Sequence, residues 1–400
     1  MKQKGAINKL IEYLQLRNVG LIELAFAMTP MLSSFSLGAL PLSLLMWVIL
    51  IIIVALKGKL SQANVYKPLL FFILYWFFHS IAIMVVDDVN LNGLIAQIIY
   101  FGSVFVLFPV LDSKKLKGSL NWVALISIIG LLYQWSLLAR GEMVHPLEIP
   151  GLTMPETRME TFSTRPSSFY MEPAAYVAFM ICPLFFALSE KKYLWVIAMI
   201  MSMFLTTSTT GVVLSFVLLG VSVLSVRKMK KWTWVVTILV GSGLFYALTH
   251  FEAFEGGVEK IENTETSTNV RLSQGVYVVS TMQPAEFIFG VPYSTAYNYC
   301  KSGRGTNVVF YGKSVFVPTF WELLLLYGIV GLILYLNVYY RIFKRDRTTR
   351  PLIVALCAVL FSSSYALGIY YIFSLIIILA TYRNNCIELG VNHVTKSKTR

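Results

Sequence analysis

Apolar runs of about twenty residues follow one another along the sequence, separated by short charged segments. A bilayer core of roughly 30 Å is crossed by about 20 apolar residues in helical form. A chain built this way therefore reads first as a bundle of membrane-spanning helices. Spans fall near 19–37, 38–56, 68–86, 91–111, 118–139, 172–189, 193–208, 209–226, 232–250, 317–340, 351–366 and 367–382. The stretch 193–226 is cut at Thr206-Thr207-Ser208-Thr209-Thr210-Gly211, and 351–382 makes two short helices. The expectation is an all-α polytopic integral membrane protein with about twelve (ten to twelve) transmembrane helices. With 57% hydrophobic and 13% charged residues, the chain has more apolar side chains than a soluble core can bury.

Charge orients the bundle. The N-terminal segment, the segments 57–67, 112–117, 190–192, 227–231 and 341–350, and the tail after 382 together hold 25 of the 33 Lys and Arg. The opposite side holds eight: Arg140, Arg158, Arg165, Lys260, Arg271, Lys301, Arg304 and Lys313. The positive-inside rule then puts both termini in the cytoplasm. The net charge of +13 divides into +20 inside, −5 outside and −2 within spans, from Glu23 and Glu322. The basic excess is thus a topology signal, and nucleic acid is not an expected partner. Residues 1–18 set Lys2, Lys4, Lys9 and Arg17 around Ile7, Leu10, Ile11 and Leu14, the spacing of an amphipathic helix on the membrane surface rather than a secretory signal.

Residues 1–400 read as one polytopic domain with a cytoplasmic tail at 383–400. Two external loops stand out, at 140–171 and 251–316, and solution chemistry belongs on them or in a cavity beneath them. The four His are scattered and HExxH is absent, so neither a metal site nor a cofactor is expected. Of the four Cys only Cys300 is external. The segment Gly305 to Ser314 has a six-residue spacer where a phosphate loop needs four. A substrate delivered within the membrane fits better than ATP or a sugar nucleotide.

Glu172 stands at the head of a span with Pro173 at the first helical position. A carboxylate there either satisfies free helix N–H groups or faces an external cavity as a base or hydroxyl-binding group. Arg165 lies seven residues earlier, with Arg158 and Arg140 as weaker companions. In the second loop Leu272, Val276 and Val279 form an apolar stripe at helical spacing, ended by Pro284. Arg271 opens this helix, where the dipole disfavours a cation. Lys301, Arg304 and Lys313 follow. Several Arg on one face suit a diphosphate, through permanently charged bidentate contacts; an anion channel or transporter would also use them.

Four segments carry a resemblance. They are Arg165 to Pro173; Leu205 to Gly211; Arg271 followed by Pro284-Ala285-Glu286-Phe287-Ile288-Phe289-Gly290; and Phe320 through Tyr327-Gly328-Ile329-Val330-Gly331. In order and spacing they resemble the O-antigen polymerase and ligase family of bacterial polysaccharide assembly. Ligases of that family carry a His-Asn pair where this chain has Val317 and Pro318, which favours the polymerase. Arg140 and Gly151 match an Arg-x10-Gly spacing of some polymerase loops. The resemblance implies a metal-independent glycosyltransferase of the bacterial inner membrane. It would move a growing glycan from undecaprenyl diphosphate onto a lipid-linked repeat unit at the external face. A flippase and a chain-length regulator are its implied partners, besides membrane lipids. On this reading Glu172, Arg165 and Arg271 are catalytic, and Arg158, Lys301, Arg304 and Arg140 bind substrate. The competing readings are a ligase of the same family and a flippase or transporter of lipid-linked oligosaccharide.

Overall fold

A computed structural model describes residues 8–9, 11–38, 40–87, 91–154, 165–208, 215, 217–218, 220–221, 268–304, 310–311, 314–315, 317–362 and 367–388. Helices dominate them: α1 (Leu21–Leu32), α2 (Leu42–Leu56), α3 (Lys67–Ile83), α4 (Leu91–Leu107), α5 (Ser113–Leu138), α6 (Pro173–Ser189) and α7 (Tyr193–Leu205) come first. After the second loop opens come α8 (Thr268–Ser280), α9 (Pro284–Phe289), α10 (Ala296–Lys301), α11 (Thr319–Arg345), α12 (Arg350–Ser362) and α13 (Ile369–Glu388). Two antiparallel hairpins are the described strands, β1 (Ser36–Leu37) with β2 (Leu40–Pro41) and β3 (Phe310–Tyr311) with β4 (Ser314–Val315). The expected spans at 209–226, for the most part, and at 232–250 lie outside the described residues.

Among the described residues two helices, α5 and α11, are long and apolar enough to cross a membrane. Most of the other described runs make shorter helices than expected, whereas α13, at 20 residues, runs beyond its expected end at 382. The run 19–37 is helical only as far as Leu32. Beyond it the chain turns through the β1–β2 hairpin at Gly38, whose φ of +61° suits glycine. At 12 residues α1 is about 18 Å long.

The core centres on α13. From Tyr371 to Ala380 every residue is buried, and a helix apolar on all sides needs neighbours on all sides. It touches α1, α4, α5, α6 and α12. Phe373 stacks on Phe26 of α1 with centroids 4.8 Å apart, and Tyr371 stacks on Tyr335 of α11 at 5.0 Å. The outer helices show the reverse pattern. Phe71, Leu74, Phe78 and Ile81 on α3, Ile126, Ile129 and Leu132 on α5, and Leu194, Ile197 and Met201 on α7 are exposed apolar stripes.

The N-terminal segment differs from the expected surface helix. Leu14 and Leu16 are buried, and their carbonyls accept bonds from Asn121 Nδ2 and Trp122 Nε1 of α5, each at 2.8 Å. A side chain at Gly118 would strike the Asn18 carbonyl, so glycine permits this docking. Nearby, Glu190 gathers Gln15 Nε2 at 3.1 Å, Lys117 Nζ at 2.8 Å and Lys192 Nζ at 2.6 Å. Burial alone would raise the Glu190 pKa; hydrogen bonds and charge from the two lysines outweigh it and hold the carboxyl below its ordinary value.

Helix α11 is broken at Gly328, whose φ of +64° and ψ of −174° are open essentially to glycine alone. The break frees carbonyls, and they find donors elsewhere: Val291 N–H to Leu325 O at 2.9 Å, Tyr75 Oη to Tyr327 O at 2.9 Å. Into it fits the end of α9, where Gly290 has φ +95°. A Cβ on Gly328 would meet the Ile288 carbonyl, and one on Gly290 would meet the Leu326 carbonyl.

Two predictions follow from this packing. Gly328→Ala should destabilise the protein by about 2–4 kcal/mol, from strain and clash together. Gly102→Ala, in α4 with open space around it, should be neutral or slightly stabilising; equal melting temperatures for the two variants would refute the close-contact account. Glu190→Gln should lose about 1 kcal/mol at neutral pH, a figure kept small for partial exposure. A depressed carboxylate pKa stabilises above the unfolded value and stops doing so as pH falls through the folded value. The gap between wild type and Glu190→Gln should therefore close below the ordinary carboxylate pKa of 4.5, as read by melting temperature against pH.

Candidate functional site

The first loop is shaped by one polar side chain in an apolar helix. Gln134 of α5 accepts from the N–H groups of Ser167 (3.0 Å) and Ser168 (2.7 Å), and donates to the His145 carbonyl at 2.6 Å. Leu147 N–H closes the far side on Ser168 O at 2.7 Å. Ser168 takes φ +56°, unusual for a residue with a Cβ. Its buried Oγ has no hydrogen-bond partner, and a Cβ at Gly130 would run into it.

Arg165 is where the described part of this loop resumes after residue 154. Its Nε donates to Thr207 Oγ1 at 3.1 Å and its Nη2 to Thr207 O at 2.7 Å. Thr207 follows the C-terminal end of α7, with φ +53°. A guanidinium there meets free carbonyls and the negative end of the helix dipole, so Arg165 ties the loop to α7. The arrangement brings together two of the four segments singled out in the sequence, Arg165–Pro173 and the Thr/Ser-rich turn. Thr207 was not among the predicted site residues, although the run of hydroxyls around it was visible.

Glu172 is the N-cap of α6 by position, with φ −150° and ψ 154°, yet its side chain makes no capping bond. Of the two uses foreseen for it, satisfaction of its own helix is thereby removed. The half-buried carboxylate interacts electrostatically with Tyr370 of α13. Next to it Met171 N–H donates to Ser34 Oγ at 2.9 Å, and Tyr370 Oη lies 3.4 Å from Ser33 Oγ. Glu172 thus sits where the loop, the end of α1 and the start of α13 converge.

The second loop is held at three points. Asp87, just past α3, accepts from Ser294 N (2.7 Å), Ser294 Oγ (2.8 Å) and Asn298 Nδ2 (3.0 Å). Tyr75 Oη donates to Phe289 O at 2.8 Å as well as to Tyr327 O. Gly290 rests on the break at Gly328, which joins the remaining two singled-out segments. The expected apolar stripe of α8 holds in part: Val279 packs against the core, Val276 is half exposed, the Leu272 side chain lies outside the described residues, and Gln274, Gly275 and Val278 are buried. Gly275 causes the rotation, since the Trp321 ring lies where its Cβ would be.

The predicted cations are placed as follows. The backbone puts Arg271 in the first turn of α8; its side chain, like all of Arg158, lies outside the described residues. Arg304 was expected to bind substrate but forms an ion pair with Glu286 of α9 and lies over the Tyr299 ring at 5.9 Å. The hydrogen bond that it donates to Glu286 raises its pKa further. Glu286 also accepts from Gln283 N–H, completing a capping box that fixes α9. Arg304 therefore anchors the loop. Lys301 is exposed in the last turn of α10, and Arg140 is exposed beyond the C-terminal end of α5, both favoured by a helix dipole. Cys300 is buried, and burial pushes its thiol up to about 11.

A cavity of about 610 Å³ opens at the opposite end of the bundle, near the start of α3 and the ends of α11 and α13. No protein-family model matches the chain, and no curated protein matches its sequence.

Proposed function

We propose that the chain is a polytopic membrane glycosyltransferase, with both termini in the cytoplasm and two external loops forming its site. Its reaction would be polymerisation of a surface-polysaccharide repeat unit: O-antigen, capsule or exopolysaccharide. The membrane architecture is supported by the apolar stripes on α3, α5 and α7, which face outward although the core behind them is already complete. Such stripes exceed what a soluble monomer ordinarily exposes.

One observation carries the transferase reading. The four segments that resemble the polymerase and ligase family meet in pairs, Arg165 on Thr207 and Gly290 on Gly328. Segments far apart in sequence that share one structural task support a real relationship over a chance likeness. The buried Val317, where ligases carry His, keeps the polymerase ahead of the ligase.

In the proposed reaction the acceptor's sugar hydroxyl attacks the anomeric carbon of the donor glycan. The new glycosidic bond forms as the bond to lipid diphosphate breaks, with inversion. Glu172 takes the hydroxyl proton, from its place at the head of α6 beside the first loop. Arg165, positioned by its bonds to Thr207, and Arg271 stabilise the departing diphosphate. Lys301, Arg140 and Arg158 would help bind the anionic substrate by raising the local positive potential, and Arg304 would do so from its ion pair with Glu286.

The test is a purified-protein assay with lipid-linked repeat units, read as a ladder of longer lipid-linked glycans. Glu172→Gln should slow chain growth by about 10²–10⁴-fold, and Arg165→Ala by about 10²–10³-fold, each with a melting temperature close to wild type. Loss of ladder together with a lowered melting temperature in Arg165→Ala would reduce that residue to an anchor of α7. Ladders of wild-type length in both variants would defeat the proposed chemistry. Products on a different acceptor lipid would establish the ligase, and movement across the bilayer without new glycosidic bonds the flippase.

A further inference from the structure

The cavity at the end of the bundle away from the loops is lined by four cations, Lys67, Arg341, Arg345 and Arg383, with the phenols of Tyr66 and Tyr382. Among the described residues no carboxylate lines it. Its volume of about 610 Å³ lies within the range of ordinary ligand sites. Concave sites lined by one sign of charge focus the field and concentrate counter-ions. Arg341 and Arg345 stand one turn apart on the same face of α11, a spacing at which like charges repel. An anion in the cavity would relieve that repulsion.

Two of the cations are also held in place. Arg383 Nη2 donates to Leu111 O at 2.9 Å, and Arg345 hydrogen-bonds the Tyr382 phenol. Tyr66 Oη donates to Val338 O at 2.9 Å, locking the start of α3 to α11 and fixing the width of the cavity. One carboxylate, Asp112, acts on Arg383, but its Oδ1 already caps α5 through the N–H groups of Lys114 and Lys115. The site keeps a clear positive excess. Phe108, Ile342 and Leu379 add an apolar wall beside the charges.

We propose that this cavity binds a phosphate mono- or diester: Arg341 and Arg345 grip the phosphate, Lys67 and Arg383 complete its charge shell, and the apolar wall receives the adjoining carbon skeleton. Planar guanidinium groups match phosphate oxygens in bidentate geometry. An anionic phospholipid headgroup and a small soluble phosphate ester share this chemistry. The lipid source rests on the membrane-spanning reading above, whereas recognition of phosphate does not. Basic pockets between helices on the cytoplasmic side are a known way to hold anionic headgroups.

The experiment uses the full chain purified in an uncharged detergent and titrated by calorimetry with three probes: dihexanoyl phosphatidylglycerol, dihexanoyl phosphatidylcholine and glycerol 3-phosphate. Wild type should show saturable binding of one phosphatidylglycerol. The double variant Arg341→Gln with Arg345→Gln should bind it at least tenfold more weakly, and Arg341→Glu alone should also weaken it if the double variant folds poorly. Lys344→Gln with Arg347→Gln removes the same charge from exposed positions outside the cavity, and should stay within twofold of wild type. Much tighter binding of phosphatidylglycerol than of glycerol 3-phosphate supports the lipid source; comparable binding supports the site with a soluble ligand. Equal weakening in both double variants would show diffuse surface charge and overturn the site. So would undiminished binding in the Arg341 variants, or phosphatidylcholine binding as tightly as phosphatidylglycerol.

Discussion

Two stretches of backbone meet without side chains between them where Gly290 enters the break at Gly328. This contact sets the geometry of the second loop, because the carbonyls it frees in α11 are the ones that Val291 and Tyr75 take up. A straight α11 would satisfy its own carbonyls and leave α9 without a seat. The capping box at Gln283 and Glu286, the ion pair with Arg304 and the ring of Tyr299 are all built outward from α9. The second loop is thus organised around a deliberate failure of one helix, and glycine at both positions is what makes the failure stable.

Much of this was legible in the sequence. The apolar runs marked where helices lie, and the Pro284–Gly290 and Tyr327–Gly331 segments stood out before any geometry was known. What periodicity could not supply was the rotation of a helix about its axis. The apolar residues of α8 pointed to Val276, but the missing Cβ of Gly275 turned the other side inward against Trp321. Helix ends were also misjudged. Hydropathy counts side chains, whereas the stop after Leu32 comes from a hairpin that hydropathy reads as continued apolar chain.

The candidate site was legible as a set of charges and not as a set of pairs. Arg165 and Arg304 were read as cations awaiting an anion. Each has a protein partner, Thr207 in one case and Glu286 in the other. Long side chains on loops find partners that sequence distance hides, 42 residues away for Arg165. Glu172 goes the opposite way: its position suggested a cap, and the structure leaves the N–H groups of α6 to be satisfied by other means. Gln134 was passed over altogether. A buried amide inside an apolar helix is costly unless it is bonded, and that cost is the signal that could have found it.

Tyr75 and Asp87 reach the second loop from the same mast. One lies within α3 and the other just beyond it, roughly three turns apart. Because the loop is rigged to α3 at two heights, a tilt of that helix would pull unequally on the two lines and rotate the loop rather than merely translate it. The outer stripe of α3, exposed along Phe71, Leu74, Phe78 and Ile81, is the surface on which the surroundings would exert such a tilt.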